Sequence, residues 1–133
     1  MVIDTSAIIA ILRAEPEAMV FLDALIDAPI RRLSAASFLE IAIVLGRDPT
    51  GAYRAAFDAL ITSYEIGIEP VTEGQARGAE TAYRRFGKGS GSAARLNFGD
   101  CFRYALAQAF GEPLLFKGED FAHTDIRAAQ VPR

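Results

Sequence analysis

Short apolar runs alternate along this chain with longer segments of helical periodicity. Residues 1–3, 66–71 and 114–116 are brief and mostly apolar and read as strands, with Arg32-Leu33-Ser34 as a further short one. The segments between them repeat their apolar residues every three or four positions. They predict helices over 5–13, 17–27, 36–46, 51–64, 73–86 and 98–110. One of these carries Tyr53, Phe57, Leu60, Ile61 and Tyr64 on a single helical face. Local signals set the ends. Pro16 suits a first helical turn, Asp48-Pro49-Thr50 stops the helix before it, and Asn97 is a favoured N-cap for the last long helix. Residues 87–92, Gly-Lys-Gly-Ser-Gly-Ser, form a loop by composition. Strands separated by helices predict an α/β fold with a mostly parallel sheet. With 133 residues and neither repeat nor linker, residues 1–133 read as one domain.

Four acids break the apolar pattern. Asp4 follows Met1-Val2-Ile3, Glu40 lies inside Phe38–Leu45, Asp100 opens Cys101-Phe102-Arg103-Tyr104, and Asp120 follows Pro113-Leu114-Leu115-Phe116. A carboxylate in apolar surroundings is costly unless it is paired or binds a cation. Each acid has an ordinary explanation as well. Asp4 is a good helix cap, Asp100 sits where a helix dipole favours an anion, and Asp120 suits a turn. Glu40 has the weakest such explanation. Two acids at strand ends and two on helices can share one cleft beyond the carboxyl ends of a parallel sheet. Oxygen donors of this kind suit Mg²⁺ or Mn²⁺, which supports displacement at phosphorus.

Composition narrows the class. The chain is 51% hydrophobic, enough for a real core, and its net charge of −3 argues against non-specific coating of duplex nucleic acid. No apolar run approaches the length of a membrane span. The opening residues show no basic stretch and no cleavage site, so a cytoplasmic protein is expected. The single cysteine, Cys101, fits a reducing compartment and reads as a small buried hydrophobe. The helix over 17–27 is apolar nearly all round, which points to a partner or dimer contact as well as to core packing.

Val2-Ile3-Asp4-Thr5-Ser6-Ala7, the embedded Glu40, Leu96-Asn97-Phe98-Gly99-Asp100-Cys101 with Tyr104-Ala105-Leu106-Ala107, and Leu114-Leu115-Phe116-Lys117-Gly118-Glu119-Asp120-Phe121 together resemble a PIN domain. More closely they resemble the VapC-type toxins of bacterial toxin–antitoxin pairs. Their order and spacing cover the chain from its first residues to about Asp125. The resemblance implies a three-layer α/β/α sandwich and a Mg²⁺- or Mn²⁺-dependent endoribonuclease. It implies Asp4 and Asp100 as metal ligands, Glu40 as a ligand or a water-orienting group, and Asp120 as a fourth acid, with Asp125 competing for that role. Thr5 or Ser6 supplies a hydroxyl beside the first acid, and Asn97 supports Asp100. The same resemblance implies a homodimer and a small antitoxin laid over the site, using the 17–27 surface and the Tyr53/Phe57/Ile61 face.

Arg84, Arg85, Lys88 and Arg95 flank the Gly/Ser loop, and Lys117 precedes Asp120. These are the candidates for gripping an RNA backbone, against the plainer reading of solvated charges. Paired-histidine catalysis is excluded, because His123 is the only histidine. A Walker-type phosphate loop is missing. Two alternatives stay open on sequence: a nuclease of RNA processing that is not a toxin, and a dimerising module whose acids are caps.

Overall fold

A computed structural model describes residues 1–129. Its elements are β1 (Val2–Ile3), α1 (Thr5–Leu12), α2 (Ala18–Asp27), β2 (Arg32–Ser34), α3 (Ala35–Leu45), α4 (Ala52–Ser63), β3 (Gly67–Glu69), α5 (Glu73–Phe86), α6 (Phe98–Phe110) and β4 (Leu114–Leu115). A one-turn 3₁₀ helix follows at Phe121–His123. The four strands form one parallel sheet in the order β3-β2-β1-β4.

Strands β1 and β4 are short and apolar because both faces of the sheet are covered there, whereas the edge strand β3 is largely exposed. Successive side chains point to opposite faces. Val2 and Leu114 pack with Leu96, Tyr104 and Leu106 beneath α5 and α6. Ile3 and Leu115 pack on the other face with Ile8, Leu25, Leu33, Ile41 and Phe57, among α1 to α4. Two cores separated by one sheet give the expected three-layer α/β/α sandwich.

Side-chain caps set most of the helix starts. Asp4, Ser34 and Thr72 cap α1, α3 and α5. At α6, Asn97 and Asp100 satisfy each other's backbone N–H in a capping box. The third strand is shorter than the 66–71 run, ending before Pro70, which has no N–H to give a ladder. The α3 helix starts one residue earlier than its periodicity suggested, because Ser34 takes the cap. Residues 87–92 begin as expected in a loop, but Gly87 also bridges to Leu96, closing the loop at its base.

Phe57 is fully buried and stacks on Phe38, and Ile61 packs partly against the same core, whereas Tyr53 of that face stays 42% exposed. On α2, Phe21 and Leu25 are buried, while Met19 and Ile26 stay exposed at 68% and 61%. That helix therefore packs on one side and presents an apolar outer side. No helix among the described residues is long and apolar enough to cross a membrane.

Candidate active site

The chain runs outward from β1 through β2 to β3, then returns to place β4 on the other side of β1. That reversal opens a crevice at the carboxyl ends of β1 and β4, the usual place for a site in such a sheet. A cleft of about 410 Å³ lies there, lined by Asp4, Thr5, Ser6, Asp100, Arg103 and Asp120, with Lys117 at its side.

Asp4 leaves β1 in extended conformation, and its backbone N–H still bonds the carbonyl of Leu115 on β4, 2.9 Å away. Its Oδ2 accepts the Ser6 N–H at 3.0 Å and the Ser6 hydroxyl. The Ser6 Oγ in turn accepts the Lys117 N–H at 2.9 Å, tying the two strand ends together. Asp100 sits in the first turn of α6, where its Oδ2 accepts the Asn97 N–H at 3.0 Å. Asp4 and Asp100 are 4% and 7% exposed. Burial pushes the Asp100 carboxyl above its ordinary value, and the nearby charges of Asp4 and Asp120 add to the effect. The Asn97 N–H and the Arg103 cation oppose it without cancelling it. Asp120 lies on the exposed rim after β4.

Sequence reasoning missed Arg103. It is only 5% exposed, and it stands among the acids. Its Nε donates to Asp4 Oδ1 at 2.5 Å, its Nη1 and Nη2 donate to Glu40 Oε2 and Oε1 at 3.3 and 3.2 Å, and Nη2 lies 3.4 Å from Asp100 Oδ1. Burial works against its charge, but Asp4, Glu40 and Asp100 together hold the guanidinium above its ordinary value, so it stays a cation. The signal was present: an arginine inside the apolar run 101–107, one turn beyond Asp100.

Glu40 therefore stands apart from the other three acids. Its side chain is 40% exposed, and it lines a neighbouring depression with Leu39, Ile43, Phe98 and Phe102 rather than the main cleft. Arg103 walls both spaces. The contact needs Gly99, since a Cβ there would lie 2.5 Å from Glu40 Oε2 and 2.7 Å from Arg103 Nη1.

Asp125 does not reach the cleft. Its carboxylate accepts the Tyr104 hydroxyl and pairs with Arg85 at 3.3 Å. Among the RNA-contact candidates, Lys117 bridges Glu15 at 2.5 Å and Glu17 at 3.1 Å, and Arg84 pairs with Glu80 at 2.6 Å. Lys88 and Arg95 are exposed beside the 87–96 loop. Cys101 is buried and its thiol is pushed up by burial, as befits a packing residue.

Among the described residues no three acid, histidine or cysteine side chains stand close enough to cage an ion alone. Mg²⁺ does not require such a cage, since it binds through one or two carboxylates and keeps several waters. The all-oxygen donor set of Asp4, Asp100 and Asp120 fits that habit. Thr5 Oγ1, buried beside Asp4, has no hydrogen-bond partner among the described residues and adds a further free oxygen.

Parallel layers with acids gathered at the switch point have a family counterpart. Residues 1–127 match the PIN domain, and the chain belongs to that family. Within it the chain belongs with the VapC ribonucleases. It is 56% identical to ribonuclease VapC28 of Mycobacterium tuberculosis over 129 residues, 97% of each chain. It is 47% identical to ribonuclease VapC of Mycolicibacterium smegmatis over 131 residues, covering 96% of this chain and 98% of that one. The fold matches the crystal structure of VapC20 of M. tuberculosis, a sarcin–ricin loop cleaving toxin, with a TM-score of 0.78 at 19% identity over 98% of each chain. It also matches a toxin–antitoxin complex from Klebsiella pneumoniae, with a TM-score of 0.72 at 19% identity over 93% of this chain and 92% of that one.

Proposed function

We propose that this chain is a Mg²⁺- or Mn²⁺-dependent endoribonuclease, the toxin of a toxin–antitoxin pair, with Asp4, Asp100 and Asp120 holding the metal. The convergence of Asp4 and Asp100 on one open cleft carries the reading. Kinship to ribonuclease VapC28 supports RNA as the substrate. A divalent ion bound there would activate water and neutralise charge on a phosphodiester.

The chain's own residues supply the rest. Ser6 fixes the Asp4 carboxylate from its backbone and its hydroxyl together. The capping box fixes Asp100 on the rigid first turn of α6. Preorganised carboxylates of this kind need no rearrangement when charge develops. Lys88 and Arg95 are exposed and make no ion pair among the described residues, so they are open to an RNA backbone. Arg84, Arg85 and Lys117 are held by partly or fully exposed ion pairs, which are weak and exchange readily for phosphate. The exposed apolar residues Met19 and Ile26 on α2, with Leu39 and Ile43 on α3, offer surface for the antitoxin and for a second copy of the chain. The protein acts in the cytoplasm.

The test is sequencing of RNA 5′ ends after brief induction of the chain or of its Asp4→Asn variant. New ends are expected with the wild type alone, and purified wild type is expected to cut RNA only with Mg²⁺ or Mn²⁺. Identical new ends from both chains, or undiminished cleavage in EDTA, overturn the reading.

A further inference from the structure

We propose that Arg103 is the resident second cation of this cleft, so that the site loads one divalent ion, and that Glu40 serves by holding Arg103 rather than by ligating the ion. The inference rests on the reading of the cleft as a divalent-metal site.

The guanidinium has a rigid planar fork of five N–H donors. One edge faces Glu40, meeting both carboxylate oxygens at 3.2 and 3.3 Å. Such two-pronged pairing fixes orientation as well as charge. The remaining donors face Asp4 Oδ1 at 2.5 Å and Asp100 Oδ1 at 3.4 Å. Carboxylate oxygens that a second ion would recruit therefore already face N–H groups.

Burial keeps the arrangement in place. Arg103 is 5% exposed, and its helix α6 is packed against both α3 and β1. A free arginine would swing to water, but here three carboxylates and the surrounding packing oppose that motion. Gly99 leaves the space in which Glu40 and Arg103 meet. Charge balance points the same way. One divalent ion and Arg103 bring three positive charges against the four acids Asp4, Glu40, Asp100 and Asp120. A second divalent ion would exceed them. In two-metal sites the second ion helps to neutralise the phosphate, and a fixed guanidinium beside the cleft supplies the same charge.

The experiment counts bound Mn²⁺ on purified protein without RNA, by electron paramagnetic resonance of the free ion. Wild type is expected to bind one Mn²⁺ per chain. Glu40→Gln is expected to keep that single ion, whereas Asp4→Asn loses it. Arg103→Met, which releases Asp4 and Glu40, is expected to bind two, and Arg103→Lys, which keeps the charge, is expected to bind one. Two ions on the wild type, loss of the ion in Glu40→Gln, or a single ion on folded Arg103→Met overturns the inference. If Arg103→Met does not fold, the wild-type and Glu40→Gln counts decide the matter alone. Absence of any Mn²⁺ from the wild type overturns the metal reading as well, which separates the two failures.

Discussion

Asp4 and Asp100 line the same cleft, yet their neutralisation is expected to move stability in opposite directions. Asp100 is buried and carries a raised proton affinity, so its charge is a net cost to the fold. Asp100→Asn removes that cost. The amide oxygen can still accept the Asn97 N–H, and only the long 3.4 Å contact with Arg103 is lost. A gain of about 1 kcal/mol is expected, the usual scale for relieving one unfavourable group. Asp4→Asn instead removes the anion bonded to Arg103 Nε at 2.5 Å. A hydrogen bond to a charged group is worth about 1.5–3 kcal/mol, and Glu40 still neutralises Arg103, so a loss of about 2 kcal/mol is expected. At roughly 2.1 cal/mol/K per residue, unfolding entropy makes 1 kcal/mol worth about 3.5 °C for a chain of this size. Thermal melts in EDTA at neutral pH should therefore place Asp100→Asn about 3.5 °C above wild type and Asp4→Asn about 7 °C below it. Both variants should lose RNA cleavage by about 10²-fold or more, as removal of a metal ligand requires. The pH dependence gives an internal check. An acid whose folded pKa is raised costs stability above that pKa and nothing below its unfolded value, so the advantage of Asp100→Asn should shrink as pH falls through the window between them. Melting shifts of the same sign and size in the two variants would refute the distinction drawn between the two carboxylates.

Three further outcomes are expected. Asp120→Asn should cut RNA cleavage about ten-fold or more, whereas Asp125→Asn should leave it intact and cost about 1 kcal/mol in urea unfolding, because it weakens the bond from Tyr104 and loses only an exposed ion pair with Arg85 besides. Gly99→Ala places a methyl against the tips of Glu40 and Arg103, which are flexible and can yield. Its melting point should stay within about 3 °C of wild type while cleavage falls by about ten-fold or more, since small misplacements at a site are expensive. Burial and Asp125 together push the Tyr104 phenol up to about 12, above its value of 10.0 in an unfolded chain. The folded state therefore binds a proton that the unfolded state sheds, and stability from this group is present below about pH 10 and lost as pH rises toward about 12. Alkaline unfolding of Tyr104→Phe should show a shallower decline across that window.

Much of this fold is written in local chemistry. The helix over 73–86 and the helix over 98–110 have the predicted bounds, because Thr72 and the Asn97/Asp100 pair are strong caps. Strand lengths were less legible, since pairing partners and Pro70, rather than apolar content, decide where a ladder stops. Asp4 and Asp100 were legible as buried acids for the reason first given, a carboxylate in apolar sequence. Glu40 was not. Its apolar neighbours Leu39 and Ile43 are themselves more than half exposed, so an apolar helix did not mean a buried one. The pairing of Arg103 with Asp4 and Glu40 was invisible because it is set by three-dimensional packing rather than by spacing. Asp120 and Asp125 lie close in sequence, and the turn between them sends one to the cleft and the other to Tyr104.

The bond from Arg103 to Asp4 joins residues 99 positions apart. Asp4 leaves the ribosome with the first strand, but its partners on α6, and then β4 and Asp120, are translated well after it. Until then β1 has no neighbour on one side, and the acids have neither cation nor cleft. A chain still being translated is thus a disarmed one. Folding of α6 and β4 back onto β1 is the step that assembles the cleft.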